Sequence, residues 1–163
     1  MAGWVERTGS LTARMRRRCG PDFAVQVFSE GWRRPALDEA VRLDLDRRRV
    51  AWVREVALCC GSRPLIMARS VIPADSLRGS NRALRRLGTR PLGELLFAGA
   101  GTARDPLETA RLERRHWLAR RLVPDAVSSS ETLWARRTVH WLQGRPLLVA
   151  EVFLPELVEE SDG

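Results

Sequence analysis

The stretch VAWVREVALCC-GSR-PLIMARSVIP, Val50 to Pro73, decides the fold. Two runs of strand-forming residues flank Gly61-Ser62-Arg63, a short turn, so they predict an antiparallel hairpin. LWARRTVHWL (Leu133 to Leu142) and RPLLVAEVFLP (Arg145 to Pro155) repeat the layout across Gln143-Gly144. Read with period two, Leu147, Val149, Glu151 and Phe153 share one face of the last strand, and Leu148, Ala150, Val152 and Leu154 share the other. Both faces are apolar, which predicts cover on both sides. An ionised Glu151 in such a strand is costly unless an arginine pairs with it or a ligand hydroxyl meets it.

The rest of the chain adds helices to these hairpins. A short helix is expected around Trp4, then the polar turn GSLT (Gly9 to Thr12), where Ser10 or Thr12 can cap a second helix. FAVQVFSEGW (Phe23 to Trp32) reads as a strand ending at Gly31, and a loop or weak helix follows through Pro35. Ser80 to Leu87 reads as a short helix stopped by Gly88, and Pro91 opens another in PLGELLFAG. Thr102 to Leu112 is a candidate strand that Pro106 confines to an edge or a bulge. The segment from Glu113 to Thr132 has the weakest pattern, and the acidic tail ELVEESDG is expected to fray. The sum is an α+β fold: one antiparallel sheet of about six strands, mostly in hairpins, with helices packed on it. With 163 residues, the chain is expected to be a single domain, 1–163.

Composition narrows the function classes. The N-terminus lacks the apolar core of a signal peptide, and no run is long enough to span a membrane. Cys19, Cys59 and Cys60 are sparse and form no CxxC pair, so reduced thiols, a cytoplasmic location and no metal site are expected. The formal net charge is +8, with arginine as the sole basic residue besides two histidines. Such exclusive use of arginine follows from GC-rich coding as readily as from nucleic-acid binding, and no RNP or zinc-finger spacing accompanies it. No nucleic-acid partner is expected, although a basic surface attracts small dianions.

Nucleotide, zinc-protease and serine-hydrolase motifs are absent. His116 and His140 sit in separate segments and read as packed or solvent-facing. What remains is charge set in apolar strands. Arg54 shares a face with Trp52, Val56 and Leu58, while Glu55 points the other way and Arg69 occupies a similar strand position. Two readings stand open. These charges pair among themselves as structural ion pairs, or Arg54 and Glu151 form the two ends of a pocket. A guanidinium fork binds a carboxylate through two hydrogen bonds and keeps its charge when buried.

The ordered set WVRE (Trp52 to Glu55), RSVIP (Arg69 to Pro73), LGTRPLGELLF (Leu87 to Phe97), LWARR (Leu133 to Arg137) and GRPLLVAEVFLP (Gly144 to Pro155) resembles the chorismate pyruvate-lyase family. The likeness runs from about Trp4 to Pro155. It implies an antiparallel sheet with helical flaps over a buried site, and a monomer. It also implies conversion of chorismate to 4-hydroxybenzoate and pyruvate without a cofactor, feeding ubiquinone biosynthesis. Carried onto this chain, Arg54 binds a carboxylate and Glu151 meets the ligand hydroxyl. Leu92 and Leu11 contribute through their backbone N–H groups, Leu11 standing where a relative has methionine. The chain departs from compact family members by an insertion at about 112–132, expected to lengthen a hairpin tip. A non-catalytic sensor of small aromatic or carboxylic acids, built on the same fold, is the alternative.

Overall fold

Both predicted hairpins form, and they pair with each other through their inner edges. The computed structural model describes residues 3–97, 101–124 and 132–161. Its strands are β1 (Phe23–Arg33), β2 (Ala51–Cys60), β3 (Arg63–Pro73), β4 (Thr102–Arg104), β5 (Glu108–Glu113), β6 (Thr132–Leu142) and β7 (Arg145–Phe153). Among the described residues these seven make one antiparallel sheet in the order β1-β2-β3-β7-β6-β4, with β5 also on β6. The expected count of about six rises to seven because the single strand foreseen over Thr102 to Leu112 is two. Proline has no N–H to give to the ladder, and pairing along β6 stops after Arg104 and resumes at Glu108. β1 does not end at Gly31 but runs on to Arg33, paired with Ala51.

The helices are α1 (Gly3–Glu6), α2 (Leu11–Cys19), α3 (Leu37–Arg42), α4 (Gly93–Leu96), α5 (Trp117–Leu122) and α6 (Pro155–Ser161), with 3₁₀ turns at Gly20–Asp22, Ala74–Ser76 and Gly79–Arg86. Ser10 is the residue that caps α2: its Oγ accepts the Ala13 N–H at 3.1 Å. None of these helices is long and apolar enough to cross a membrane.

Alternation along the central strands gives the sheet two apolar faces, and each is covered. On one face, α1, α2 and α6 bring Val5, Met15 and Leu157 onto Leu58, Ile66 and Phe153. Beside them the 79–97 segment packs Leu84, Leu87 and Leu96 onto Ile72 and Leu147. On the opposite face, α5 covers Ala135, Ala150 and Val152, and Leu43 covers Val53, Val71 and Leu148. Arg69 Nε and Nη2 each donate to Glu39 of α3 at 2.8 Å, and its Nη1 reaches Glu55 at 3.2 Å. Glu55, fully buried, also accepts from Arg121 of α5 at 2.6 Å. Burial raises the Glu55 pKa, but the Arg121 hydrogen bonds and the Arg69 charge outweigh it and hold the carboxylate below its ordinary value. The structural ion-pair reading therefore holds for Arg69 and Glu55, which pin α3 and α5 to the back of the sheet.

Three further expectations change. Within the described residues the tail is helical as far as Ser161: Leu157 of α6 is fully buried, and a leucine withdrawn from water contributes roughly 1.5–3 kcal/mol. The segment expected as an insertion, 112–132, carries α5 across the back of the sheet, and its residues 125–131 lie outside the described part. The cysteines are not all reduced. The turn Gly20–Asp22 returns the chain from α2 to β1, where Phe23 pairs with Cys60, and this brings Cys19 to a Cα–Cα distance of 5.3 Å from Cys60 in a disulfide. Cys59, its neighbour in the strand, points to the other face and stays a buried free thiol.

Candidate active site

The two packing lobes on the front of the sheet do not meet completely. Between them lies a cavity of about 70 Å³, room for roughly five waters. Its floor follows from strand register. One row across the sheet is Arg54, Ser70, Val149 and Thr138; the next is Val56, Ala68, Glu151 and Arg136. Period-two alternation points all eight toward the front helices. Its roof is the Thr8–Thr12 turn with α2 on one side and Pro91 to Phe97 on the other.

These roof pieces touch because Gly93 lacks a side chain. A Cβ there would stand 2.5 Å from Thr12 Oγ1 and 3.3 Å from Thr12 Cβ. Leu11 and Leu92, the two residues named through their amides, thus come to adjoining stretches of cavity wall. Leu11 is also the first residue of α2, where an N–H has no acceptor within the helix.

Arg54, 2% exposed, anchors the roof from the floor. Its Nη1 donates to Gly88 O at 2.8 Å and to Glu30 at 3.3 Å, and its Nη2 donates to Arg90 O at 2.9 Å. Gly88 turns the chain with φ +58°, a conformation that suits glycine. These three bonds leave two of the five guanidinium N–H donors without an acceptor among the described residues. Burial pulls the Arg54 pKa below its ordinary value and the Glu30 charge offsets part of that fall. Glu151 lies two strand steps away, roughly 10 Å across the sheet. It pairs with Arg136 Nε, and Arg136 Nη1 donates to Arg7 O at 2.8 Å. Arg54, Glu151, Leu11 and Leu92 all line this one cavity.

Other site residues were not singled out from the sequence. Arg136, Thr138 and His140 share the front face of β6, and each is less than a tenth exposed. Their signal was present: period two in LWARRTVHWL puts three successive polar side chains on one face of a strand. His140 is packed, as expected, but it also faces the cavity. Burial, with Arg104 and Arg136 nearby, lowers its pKa from 6.5 to about 4, so the imidazole is neutral near pH 7. Arg104, on β4 directly opposite His140, stands at the cavity's edge. The lining therefore holds three guanidinium groups against one carboxylate, a net of two positive charges.

A positively charged cavity on the covered face of an α+β sheet has the character of a site for small organic anions. The family model described as "Chorismate lyase" matches residues 1–161, and the chain belongs to that family. It is 47% identical over 158 residues to a "Probable chorismate pyruvate-lyase" of Methylococcus capsulatus, covering 97% of this chain and 96% of that one. It is 51% identical over 151 residues to a protein of the same description from Halorhodospira halophila, covering 93% of this chain and 79% of that one. Among solved structures, the PhnF C-terminal domain superposes with a TM-score of 0.63 at 12% identity, covering 81% of this chain and 82% of that one. The C-terminal domain of the histidine utilization repressor from Pseudomonas syringae pv. tomato gives 0.60 at 9% identity, with 82% and 92% covered. These last two likenesses concern the fold alone.

Proposed function

We propose that this protein converts chorismate to 4-hydroxybenzoate and pyruvate, with Arg54 and Glu151 holding opposite ends of the ring. The observation that carries the reading is the cavity's charge pattern. A net of two positive charges suits a dicarboxylate, and the one carboxylate, Glu151, lies two strands from Arg54, where a para hydroxyl would fall. Arg54 takes the ring carboxylate with its two remaining donors, and the Leu11 and Leu92 amides assist at the roof. Glu151, oriented by Arg136, accepts the hydrogen bond of the ring hydroxyl.

The reaction breaks the C–H bond at the hydroxyl-bearing ring carbon and the ring C–O bond of the neighbouring enolpyruvyl ether. The C–H electron pair completes the aromatic ring, the ether pair leaves with enolpyruvate, and the proton ends on its methylene to give pyruvate. Electrons balance without a redox partner. The protein's work is orientation, exclusion of water by Leu11, Val56 and Leu96, and cationic compensation of charge moving to the leaving group. On this reading the enzyme acts as a cytoplasmic monomer and supplies 4-hydroxybenzoate to ubiquinone biosynthesis.

Incubating the purified protein with chorismate alone tests the reading. Equimolar 4-hydroxybenzoate and pyruvate are expected, with kcat/KM falling about 100-fold or more in both Arg54→Ala and Glu151→Gln. Tight binding of either aromatic acid without turnover would replace the lyase with a small-acid sensor of the same fold.

A further inference from the structure

Three cations line the cavity, and two have defined partners. Arg54 is tied to Glu30, Gly88 and Arg90, with two donors to spare, and Arg136 is committed to Glu151 and the Arg7 carbonyl. Arg104 is different. Among the described residues it makes no ion pair or hydrogen bond; its guanidinium stands 5.7 Å from the centre of the Phe97 ring. Directly across the β4–β6 ladder is His140, 8% exposed, whose ring nitrogens have no hydrogen-bond partner among the described residues. Thr138, 6% exposed, is the next residue on that face. By register Thr138 lies on the Arg54 row and His140 and Arg104 one row further along the strands, so three polar side chains stand together to one side of the line from Arg54 to Glu151, with no protein anion among them.

We propose that Arg104, His140 and Thr138 form a second anion subsite, which receives the side-chain carboxylate of a dianionic ring substrate while Arg54 holds the ring carboxylate. The inference rests on the lyase reading and extends it to the group that leaves. The strand order sets the geometry. A ring whose carboxylate meets Arg54 on β2 and whose para hydroxyl meets Glu151 on β7 projects its meta substituent sideways, and of the two sides the one toward β6 and β4 is polar while the other holds the Leu58–Ile66–Phe153 cluster. That substituent carries the second carboxylate. Arg104 supplies the charge, and the neutral imidazole and the hydroxyl supply hydrogen bonds without adding a further cation beside Arg136. The product keeps the ring carboxylate and loses the side chain, so the subsite distinguishes substrate from product.

Two stable aromatic probes read the subsite by titration calorimetry: 3-carboxymethoxy-4-hydroxybenzoate and its neutral-side-chain counterpart 3-ethoxy-4-hydroxybenzoate. The wild type is expected to prefer the diacid by about tenfold or more. In Arg104→Gln that preference should fall to within about twofold, while 4-hydroxybenzoate affinity, which reports an intact fold and ring site, stays within about twofold of wild type. His140→Leu should lower the preference and His140→Asn should keep part of it. A diacid preference unchanged in Arg104→Gln, or an equal loss of diacid and 4-hydroxybenzoate binding, overturns the proposal. Chorismate turnover is followed in parallel. Turnover with no Arg104-dependent preference removes the subsite alone, whereas an Arg104-dependent preference without turnover removes the lyase and leaves the subsite.

Discussion

At the scale of single residues, position within one strand separates structural charge from site charge. Arg54 and Glu55 are neighbours in β2, yet one faces the cavity and the other faces the Arg69–Arg121 network on the back. Period two alone announced that they point apart; what waits on each side depends on residues far along the chain, which no local pattern reveals. The same limit hid His140, whose surroundings come from β4, β6 and β7 together. Its burial yields a prediction. The imidazole's pKa is about 4 in the folded chain against an ordinary 6.5. Between those values the unfolded chain takes up a proton that the folded chain refuses. The contribution to stability is therefore complete above pH 6.5 and is lost as the pH falls toward 4, by roughly 3 kcal/mol. Denaturant unfolding across this window should show the wild type losing stability relative to His140→Leu as the pH falls. Arg104 and Arg136, the cations facing the imidazole, keep their charge throughout, and Glu151 is common to both proteins. A constant difference would mean that the imidazole is protonated in the fold as readily as in water.

At the scale of elements, two contacts hold the roof. The first is Gly93 against Thr12, and Gly93→Ala should force the N-terminus of α2 away from α4. A cost of about 1–3 kcal/mol in urea unfolding is expected, with a rise in the KM for chorismate because the Leu11 and Leu92 amides part. An unchanged KM would mean that those amides do not bind the substrate. The second is the Cys19–Cys60 bond, which closes a 41-residue separation between the end of α2 and the end of β2. The chain-entropy relation gives about 4 kcal/mol for such a loop, so Cys60→Ser should lower the unfolding midpoint markedly under non-reducing conditions. Equal midpoints with and without reductant would show that the bond is not formed in solution. The two hairpins, a cap at Ser10 or Thr12 and the disturbance of pairing at Pro106 were legible because local chemistry sets them. The disulfide, α6 and the fold of the insertion were not. Each depends on a distant partner: β1 pairing with β2 for the cysteines, the Phe153 cluster for Leu157, and the back face of the sheet for Leu118 and Leu122.

At the scale of the whole molecule, the sheet acts as a ruler. Strands spaced about 4.8 Å apart carry Arg54 on β2, Glu151 on β7, His140 on β6 and Arg104 on β4, so in the proposed binding mode strand order and register together set which part of a ring meets which side chain. The two lobes above it flank a cavity whose lining carries a net of two positive charges. The α+β class and the antiparallel sheet were readable from the two hairpins. The polarity proposed for the site rests on family likeness joined to strand parity, and neither alone was enough. One measurement tests that polarity most directly: a crystal structure of the protein with bound 4-hydroxybenzoate. The carboxylate should lie against Arg54 with its oxygens near the Leu11 and Leu92 amides, and the hydroxyl should lie within hydrogen-bond distance of Glu151. A ligand in the reverse orientation, or one bound outside this cavity, would contradict the account.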